Sequence, residues 1–521
     1  MRIFAFAFFL SAISLFAQAQ PPSRPTPTPG SSPSPRAAES PRPSPTPPVL
    51  PTDEPPVVTK HSARVGGRQL NYTVTTGFLP IRNAVSGETE GRMFYMAYTL
   101  DGVSDKRSRP LMFSFNGGPG SASVWLHLGA LGPKRVKMLD DGLMPPPPYE
   151  LVENDHSWLD LTDLVFVDPV GTGYSRAAKP EFASRFFSVN GDISANGEFI
   201  RLFLGRNERW ASPVYLVGES YGTTRVAGLA NHLFERGVGL NGIALVSMVT
   251  NFQSIRFADN NDMPLVLYFP SYVATAWYHK ALPPEMQSKR LTDLLREAEK
   301  FAAEEYAPAL LRIDRLTDAE RNSLLDKFSS FTGLSKTFVD NQNFRVELGE
   351  FNKELLRNRK RTTGRLDSRF LGYDRDSGGD SPEFDPSMTA IRTPYTATFN
   401  DYVRRELGFK SDLEYYILGG GITTPWNWNT NNAYADTTGA LSSAMRKNPY
   451  MKVFLASGYY DMATPYFAAD YTISSMNLNP DLRRNISTAY YEAGHMMYIE
   501  KNSLMKLKND ISAFMRASAT R

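Results

Sequence analysis

The chain has 521 residues, a hydrophobic content of 41% and a net charge of +3, from 57 lysines and arginines against 54 aspartates and glutamates. This balance excludes a polyelectrolyte that would bind nucleic acid through bulk charge. The absence of cysteine excludes disulfides, thiol catalysis and zinc or iron–sulfur sites that use thiolate ligands.

The beginning of the chain predicts a secretory signal peptide over residues 1–19. A mostly apolar run covers residues 3–16, and Ala17-Gln18-Ala19 is a small-x-small cleavage pattern. The run is shorter than the roughly 20 residues that span a bilayer, which leaves an uncleaved anchor as the alternative. We therefore expect a periplasmic or secreted protein with no stable membrane insertion after cleavage.

Residues 20–56 are rich in proline, serine and threonine and predict a disordered linker that cannot form a core. Beyond residue 56, short apolar runs alternate with helical patterns, which is typical of a mainly parallel sheet flanked by helices. The predicted strands are Gln69–Thr75, Met93–Leu100, Leu111–Phe115, Asp163–Val167, Val214–Val217, Gly242–Val249, Lys452–Ala456 and Ser487–Tyr491.

The segment Gly218-Glu219-Ser220-Tyr221-Gly222 has the G-x-S-x-G pattern of a nucleophile elbow. It lies between the strand Val214–Val217 and a segment, Thr223–Phe234, that has a helical pattern. Small flanking residues allow a tight turn from which the hydroxyl of Ser220 can project. The pattern alone is weak, and its strand-before, helix-after context is what favours a serine nucleophile.

A serine nucleophile needs a general base, and the order Ser, Asp, His along the chain places this base downstream. His495 follows a predicted strand in a loop, whereas His232 and His279 lie on helical stretches and favour packing or surface positions. The orienting acid should follow the preceding strand, which indicates Asp461. Asp470 and Asp481 are the alternatives for this acid, and a plain turn is the alternative for Asp461.

An oxyanion hole needs backbone N–H donors, commonly one after the nucleophile and one from a glycine-rich loop. Tyr221 would supply the first donor. The run Asn116-Gly117-Gly118-Pro119-Gly120 would supply the second, with a phosphate loop or a simple turn as alternatives. The run lacks the lysine and serine or threonine of a nucleotide-binding loop, which disfavours nucleotide binding.

Six segments in order resemble the serine carboxypeptidase family, and a secreted bacterial member is expected. They are Phe115-Asn-Gly-Gly-Pro-Gly-Ser121, Asn154-Asp-His-Ser-Trp158, Asp168-Pro-Val-Gly-Thr-Gly-Tyr-Ser175, Gly218-Glu-Ser-Tyr-Gly222, Gly458-Tyr-Tyr-Asp461 and Ala493-Gly-His495. The resemblance implies an α/β-hydrolase fold with an inserted lid and release of C-terminal residues from peptides without a cofactor. It also implies three sets of site residues: the triad Ser220, Asp461 and His495, the oxyanion donors Gly118 and Tyr221, and the substrate-binding residues Asn116, Gly117 and Glu219.

Three positions depart from the family pattern. Ser114 stands where relatives often have tryptophan, and Ser121 where they often have cysteine. Ala130 stands where they have a second glutamate, so the pair of carboxyl groups that binds a peptide's terminal carboxylate at acid pH cannot form. The open alternatives are therefore an esterase or acyltransferase on the same triad, or a noncatalytic protein that keeps the fold.

The predicted organisation is a hydrolase core in two parts, residues 57–250 and 442–521, with a mostly helical lid over residues 251–441. Predicted lid helices are Arg290–Phe301 and Thr317–Phe328, the second with a capping box. The basic run Arg357–Arg361 favours a solvated helix end over nucleic-acid binding, and Asp374–Asp380 favours a polar turn over a calcium loop, because Gly378 occupies a ligand position. Trp426, Trp428 and Asn429 either line a substrate pocket or pack in the core. No metal is expected, and the oligomeric state is open.

Overall fold

The computed structural model describes residues 55–519. The signal peptide predicted for residues 1–19 lies outside these residues, as does nearly all of the linker predicted for residues 20–56. Between residues 55 and 519, no helix is both long and apolar enough to cross a membrane.

A ten-stranded sheet organises the chain. Nine of its strands are numbered here in chain order: β1 Val57–Val65, β2 Arg68–Arg82, β3 Thr89–Leu100, β4 Leu111–Phe115, β5 Asp163–Val167, β6 Val214–Glu219, β7 Gly242–Val246, β8 Lys452–Gly458 and β9 Ile486–Tyr491. The tenth, Arg176–Ala177, pairs with β3. The spatial order is β1-β2-β3-β5-β4-β6-β7-β8-β9. The strands from β5 to β9 in that order pair in parallel, and β1, β2 and β3 form an antiparallel edge.

The predicted mainly parallel sheet is thus confirmed, although several strands differ in their bounds; β2, for example, was predicted to end at Thr75 and extends to Arg82. The strand predicted to reach Val249 ends at Val246, because Ser247 has a left-handed φ of 52° that turns the chain out of the sheet. The edge strand β1 was not predicted. Its residues alternate between exposed and partly buried, and charged and hydroxyl side chains hide that alternation in the sequence.

Successive side chains of a strand point to opposite faces, so the sheet has two apolar faces. Met112 and Phe166 belong to one face, which is covered by the helices Pro386–Arg405 and Lys501–Ala519. Phe113 and Val165 belong to the other, which is covered chiefly by the helices Val189–Arg206, Tyr221–Phe234 and Thr438–Lys447. The core therefore fills both sides of the sheet, and polar groups collect at its edges.

Residues between 265 and 356 pack mainly on one another in a third apolar cluster, which also includes Tyr460, Met462 and Tyr466. Aromatic residues farther along, such as Tyr395 and Phe399, pack on the sheet instead. The boundaries of the lid predicted for residues 251–441 stay a prediction.

The helices predicted in this region are present. The first spans Leu291–Phe301, and the second spans Asp318–Thr332, one turn longer than predicted. The capping box predicted for the second is confirmed, because Thr317 and Glu320 each accept from the other's backbone N–H. The remaining α-helices of residues 55–519 are Val124–Leu126, Met263–Tyr278, Pro284–Gln287, Ala307–Leu310, Lys336–Asn341, Leu348–Glu354, Tyr466–Ser475 and Pro480–Arg483. Two small antiparallel pairs join Lys134–Val136 to Leu151–Glu153 and Thr362–Thr363 to Leu371–Gly372.

Candidate active site

The predicted nucleophile elbow has the strained backbone that its sequence indicates. Ser220 lies between β6 and the helix Tyr221–Phe234, with φ 58° and ψ −131°, and its N–H donates to the carbonyl of Val246 at 3.0 Å. A Cβ on Gly218 would lie 2.3 Å from the carbonyl oxygen of Gly222, so the turn closes only with glycine there. Ser220 is partly exposed, whereas the strand that precedes it is buried.

His495 and Asp461 are joined by a hydrogen bond of 2.8 Å between Nδ1 and Oδ2. They follow the neighbouring strands β9 and β8, at the same sheet edge as Ser220. Asp461 also accepts from the backbone N–H of Ala463 and of Thr464, at 2.8 and 2.9 Å. An ionised carboxylate only accepts, so Nδ1 carries the proton and Nε2 is left free to act as a base.

The environment of His495 favours its charged form. Burial lowers the pKa of this imidazole, but the charge and hydrogen bond of Asp461, together with the charge of Glu219, outweigh burial and raise the pKa above its ordinary value. The arrangement therefore stabilises the imidazolium that a general base becomes when it takes a proton.

The loop that carries His495 is held by residues that belong to no recognisable sequence motif. The N–H of His495 donates to the carbonyl of Leu366 at 2.6 Å, and the N–H of Gly494 donates to Asp367 at 3.0 Å. Ser247, just past β7, donates its hydroxyl to the carbonyl of His495 at 2.6 Å. Two distant segments, residues 366–367 and Ser247, thus fix the position of the imidazole.

The alternative residues are engaged elsewhere. His279 hydrogen-bonds the carbonyl of Ser368 at 2.7 Å, and His232 lies on the helix after the elbow. Asp470 accepts from the hydroxyl of Tyr490, and Asp481 is exposed in the short helix Pro480–Arg483.

The predicted oxyanion donors lie next to the elbow. Tyr221 is the first residue of its helix, so its N–H has no acceptor within that helix. A Cβ on Gly117 would lie 2.7 Å from both the Cβ of Ser220 and the backbone nitrogen of Tyr221, so the glycine loop touches the turn. Gly118 has a φ of 105°, which only glycine adopts without strain.

Backbone hydrogen bonds brace the glycine loop where the family often has a cysteine. The N–H of Ala122 donates to the carbonyl of Ile417 at 3.1 Å, and the N–H of Gly419 donates to the carbonyl of Gly120 at 2.9 Å. Ser121 itself accepts from the indole N–H of Trp125 at 2.7 Å. Packing and hydrogen bonds therefore hold this loop without a disulfide.

Asn116 carries a buried amide that lies beside Glu219 and Tyr498 and lowers the pKa of both. Its Oδ1 accepts from the N–H of Leu126 at 3.0 Å, and its Nδ2 is buried without a close hydrogen-bond partner. Its carbonyl oxygen accepts from Arg225 at 2.7 Å, and Arg225 forms a buried ion pair with Asp192 at 2.8 Å. A buried donor without a close partner is unusual and marks a position where a ligand atom could accept.

Glu219, the residue before Ser220, is buried and accepts a hydrogen bond from the hydroxyl of Tyr498. Burial raises the pKa of its carboxyl from 4.5 to about 7. Ala130 is fully buried in the apolar face. Tyr498 was not predicted, and only its position three residues after His495 could have drawn attention to it.

The remaining motifs have structural explanations. The ammonium group of Lys353 binds Asp374 at 2.5 Å and the carbonyl of Asp376 at 2.8 Å, where the calcium alternative would have placed a metal. Within residues 55–519, no cluster of three or more potential metal ligands occurs. The ring centroids of Trp426 and Trp428 lie 5.5 and 6.0 Å from that of Tyr221. Both indoles therefore pack against the residue that follows Ser220.

Comparisons with known proteins agree with these features. The family model described as serine carboxypeptidase matches residues 66–509. Serine carboxypeptidase-like 8 of Arabidopsis thaliana is 27% identical over 244 residues, covering 43% of this chain and 53% of the relative. The pheromone-processing carboxypeptidase KEX1 of Tuber melanosporum is 30% identical over 154 residues, 29% of this chain and 22% of the relative. The chain thus spans about half, or less, of the length of the curated relatives it matches.

Among solved structures, the chain is similar to a prohormone-processing carboxypeptidase from Saccharomyces cerevisiae. The identity is 17% and the TM-score 0.49, with coverage of 85% of this chain and 91% of that one.

Proposed function

Because this chain belongs to the serine carboxypeptidase family, we propose that it hydrolyses peptides at their C-terminal bond through Ser220, His495 and Asp461. The observation that carries the proposal is the meeting, at one sheet edge, of a strained serine turn and a histidine hydrogen-bonded to a buried aspartate. This combination is the structural requirement for an activated serine nucleophile.

The proposed reaction is acyl transfer in two steps. The hydroxyl oxygen of Ser220 attacks the carbonyl carbon of the terminal peptide bond, and its proton passes to Nε2 of His495. The C–N bond then breaks, the released amino acid takes that proton, and the acyl group stays on Ser220. A water molecule attacks this ester by the same route, with His495 again taking and returning the proton, and the free serine is restored.

The developing oxyanion would accept from the N–H groups of Gly118 and Tyr221. One such donor is worth roughly 3 kcal/mol of barrier in serine hydrolases, so the geometry of the glycine loop matters as much as that of the triad. The contact of Gly117 with the elbow supports this placement, because it brings the loop within van der Waals distance of the nucleophile.

Restriction to C-terminal residues would come from recognition of the free carboxylate. Asn116 supports this, since its buried Nδ2 is a donor without a close partner. Glu219 supports it as well, because a carboxyl with a pKa raised by burial can be neutral and donate a hydrogen bond. Gly117 completes the set by allowing the backbone to approach closely.

Ester hydrolysis is the second candidate, and Ala130 is the observation that favours it. Without a second carboxyl, fewer groups bind a free C-terminus. The difference in binding between a free-ended peptide and an ester without a carboxylate would therefore be smaller. The triad would perform the same acyl transfer on either substrate.

The test is to incubate the purified protein with three substrates: a peptide with a free C-terminus, the same peptide amidated, and a simple ester. Mass spectrometry would detect release of one residue at a time, and Ser220→Ala is the control. We expect Ser220-dependent shortening of the free-ended peptide alone, or much faster than of the amide. Turnover of the ester only would refute the peptidase, and no Ser220-dependent turnover of any substrate would favour a binding protein.

We also propose that the protein is exported, to the periplasm or beyond. The apolar run over residues 3–16 and the Ala17-Gln18-Ala19 pattern support this. N-terminal sequencing of the protein recovered from outside the cytoplasm should begin at residue 20, and a start at Met1 would contradict cleavage.

A further inference from the structure

The hydroxyl of Tyr498 contacts the one carboxyl group beside the nucleophile. Building on the proposed peptidase function, we propose that Tyr498 determines specificity by replacing the missing second carboxyl. Its hydroxyl orients Glu219 so that this carboxyl, together with Nδ2 of Asn116, binds the terminal carboxylate of a peptide. Tyr498 acts through Glu219 and is therefore a positioning residue.

The ring of Tyr498 fits closely against the segment that carries Ala130. A Cβ on Gly129 would lie 2.3 Å from Cε2 of this ring and 2.7 Å from the hydroxyl of Tyr395, so only glycine leaves room for both tyrosines. Asn154 fixes the same segment, since its Nδ2 donates to the carbonyl of Ala130 at 2.7 Å. The ring of Tyr498 is therefore held by close packing against Gly129, in a segment that Asn154 fixes.

The hydrogen-bond pattern determines where the proton of Glu219 can lie. Oε2 already accepts from the hydroxyl of Tyr498, so a neutral Glu219 carries its proton on Oε1. That O–H can donate to a peptide carboxylate. Once ionised, Glu219 only accepts and repels the same carboxylate. As the pH rises, Glu219 therefore changes from a neutral hydrogen-bond donor to a charged group that repels the terminal carboxylate of a peptide.

The groups facing Glu219 determine the pH at which this switch occurs. Burial is the largest influence and raises the pKa of Glu219, while the charge of His495 and the hydrogen bonds of Tyr498 and Asn116 lower it and the charge of Asp461 raises it. Tyr395, on the helix Pro386–Arg405, is the other ionisable group near this carboxyl, and burial keeps it protonated by raising its pKa. Burial likewise raises the pKa of Tyr498 well above 10, so its hydroxyl remains a donor at neutral pH.

The measured quantity is the ratio of kcat/KM for a free-ended peptide to that for its amide, from pH 5 to 9. Both substrates need neutral His495, so the ratio isolates carboxylate recognition. For the wild type we expect the ratio to be high in acid and to fall through about pH 7, the pKa to which burial raises Glu219.

Tyr498→Phe keeps the ring and removes the hydroxyl. We expect the ratio at pH 6 to fall about tenfold through KM, because a buried carboxyl has lost its hydrogen-bond partner. The pH at which the ratio is halved should rise, since the hydroxyl stabilises the ionised form. Turnover of the amide should not change. Tyr402→Phe is the matched control, since it also removes a buried hydroxyl, one that contacts Tyr98 at 3.0 Å, and should leave both quantities unchanged.

A folded Tyr498→Phe protein with the wild-type ratio and midpoint would overturn the proposal, although peptide cleavage would stand. If that variant does not fold, Glu219→Gln is the second test. A ratio of kcat/KM that no longer depends on pH would support the proposed binding of the terminal carboxylate by Glu219. An unchanged midpoint would overturn the proposal. If the wild type cleaves no free-ended peptide in a Ser220-dependent way, the peptidase function itself fails, and the role of Tyr498 fails with it.

Discussion

The substitution Glu219→Gln should make the protein more stable at alkaline pH and leave its stability at acid pH unchanged. Glutamine has the shape of the neutral glutamic acid and cannot ionise. The folded state holds the neutral form of Glu219, because burial raises the pKa of this carboxyl from 4.5 to about 7. The stability linked to that raised pKa is fully present below pH 4.5 and is lost as the pH rises through 7.

The size of the effect follows from the two pKa values. At about 1.36 kcal/mol for each pH unit, the difference between 4.5 and 7 corresponds to about 3 kcal/mol above pH 8. The 465 residues from 55 to 519 have an unfolding entropy of about 1 kcal/mol/K. The variant should therefore melt roughly 3 °C above the wild type at pH 8.5, and at the same temperature at pH 4.

Calorimetry at several pH values would measure this difference. Glu285→Gln is a suitable control, because the side chain of Glu285 is exposed to solvent in the folded as well as the unfolded state. Its substitution should leave the melting temperature unchanged at both pH 4 and pH 8.5. If Glu219→Gln melted at or below the wild-type temperature at pH 8.5, burial would not be the dominant influence on this carboxyl.

Three further substitutions test the supporting structure. Asp461→Asn should lower kcat roughly ten-thousandfold at pH 7 while the fold persists by circular dichroism, because the amide favours the wrong imidazole tautomer. Gly129→Ala should lower the melting temperature and the preference for free-ended peptides together, since the new methyl would overlap the ring of Tyr498. Arg225→Met should cost about 3 to 5 kcal/mol in denaturant titrations, because it leaves Asp192 as a buried charge without its partner; a cost under 1 kcal/mol would contradict that.

Much of the fold could be predicted from local patterns. Leu111–Phe115 and Asp163–Val167 are strands over the predicted residues, since a short run buried on both faces is apolar throughout. The capping box at Thr317 could be predicted equally well, because it depends on residues three positions apart. The end of β7 could not be predicted, since Ser247 leaves the sheet through a left-handed conformation that its side chain does not indicate.

The candidate site shows the same division. Ser220, Asp461 and His495 follow strands, and their order along the chain was enough to select them. The support for His495 comes from Leu366 and Asp367, more than a hundred residues earlier, through backbone groups that any sequence possesses. Contacts of this kind depend on tertiary packing and leave no local pattern.

The brace between the glycine loop and residues 417–419 has a consequence for synthesis. Ser121 and Ile417, which meet there, are 296 positions apart along the chain, and contacts of such separation form late. The nucleophile turn leaves the ribosome long before the brace, the base and the orienting acid do. The proposed hydrolysis of peptides would therefore have to wait until the final sixth of the chain, which contains Asp461 and His495, has been made.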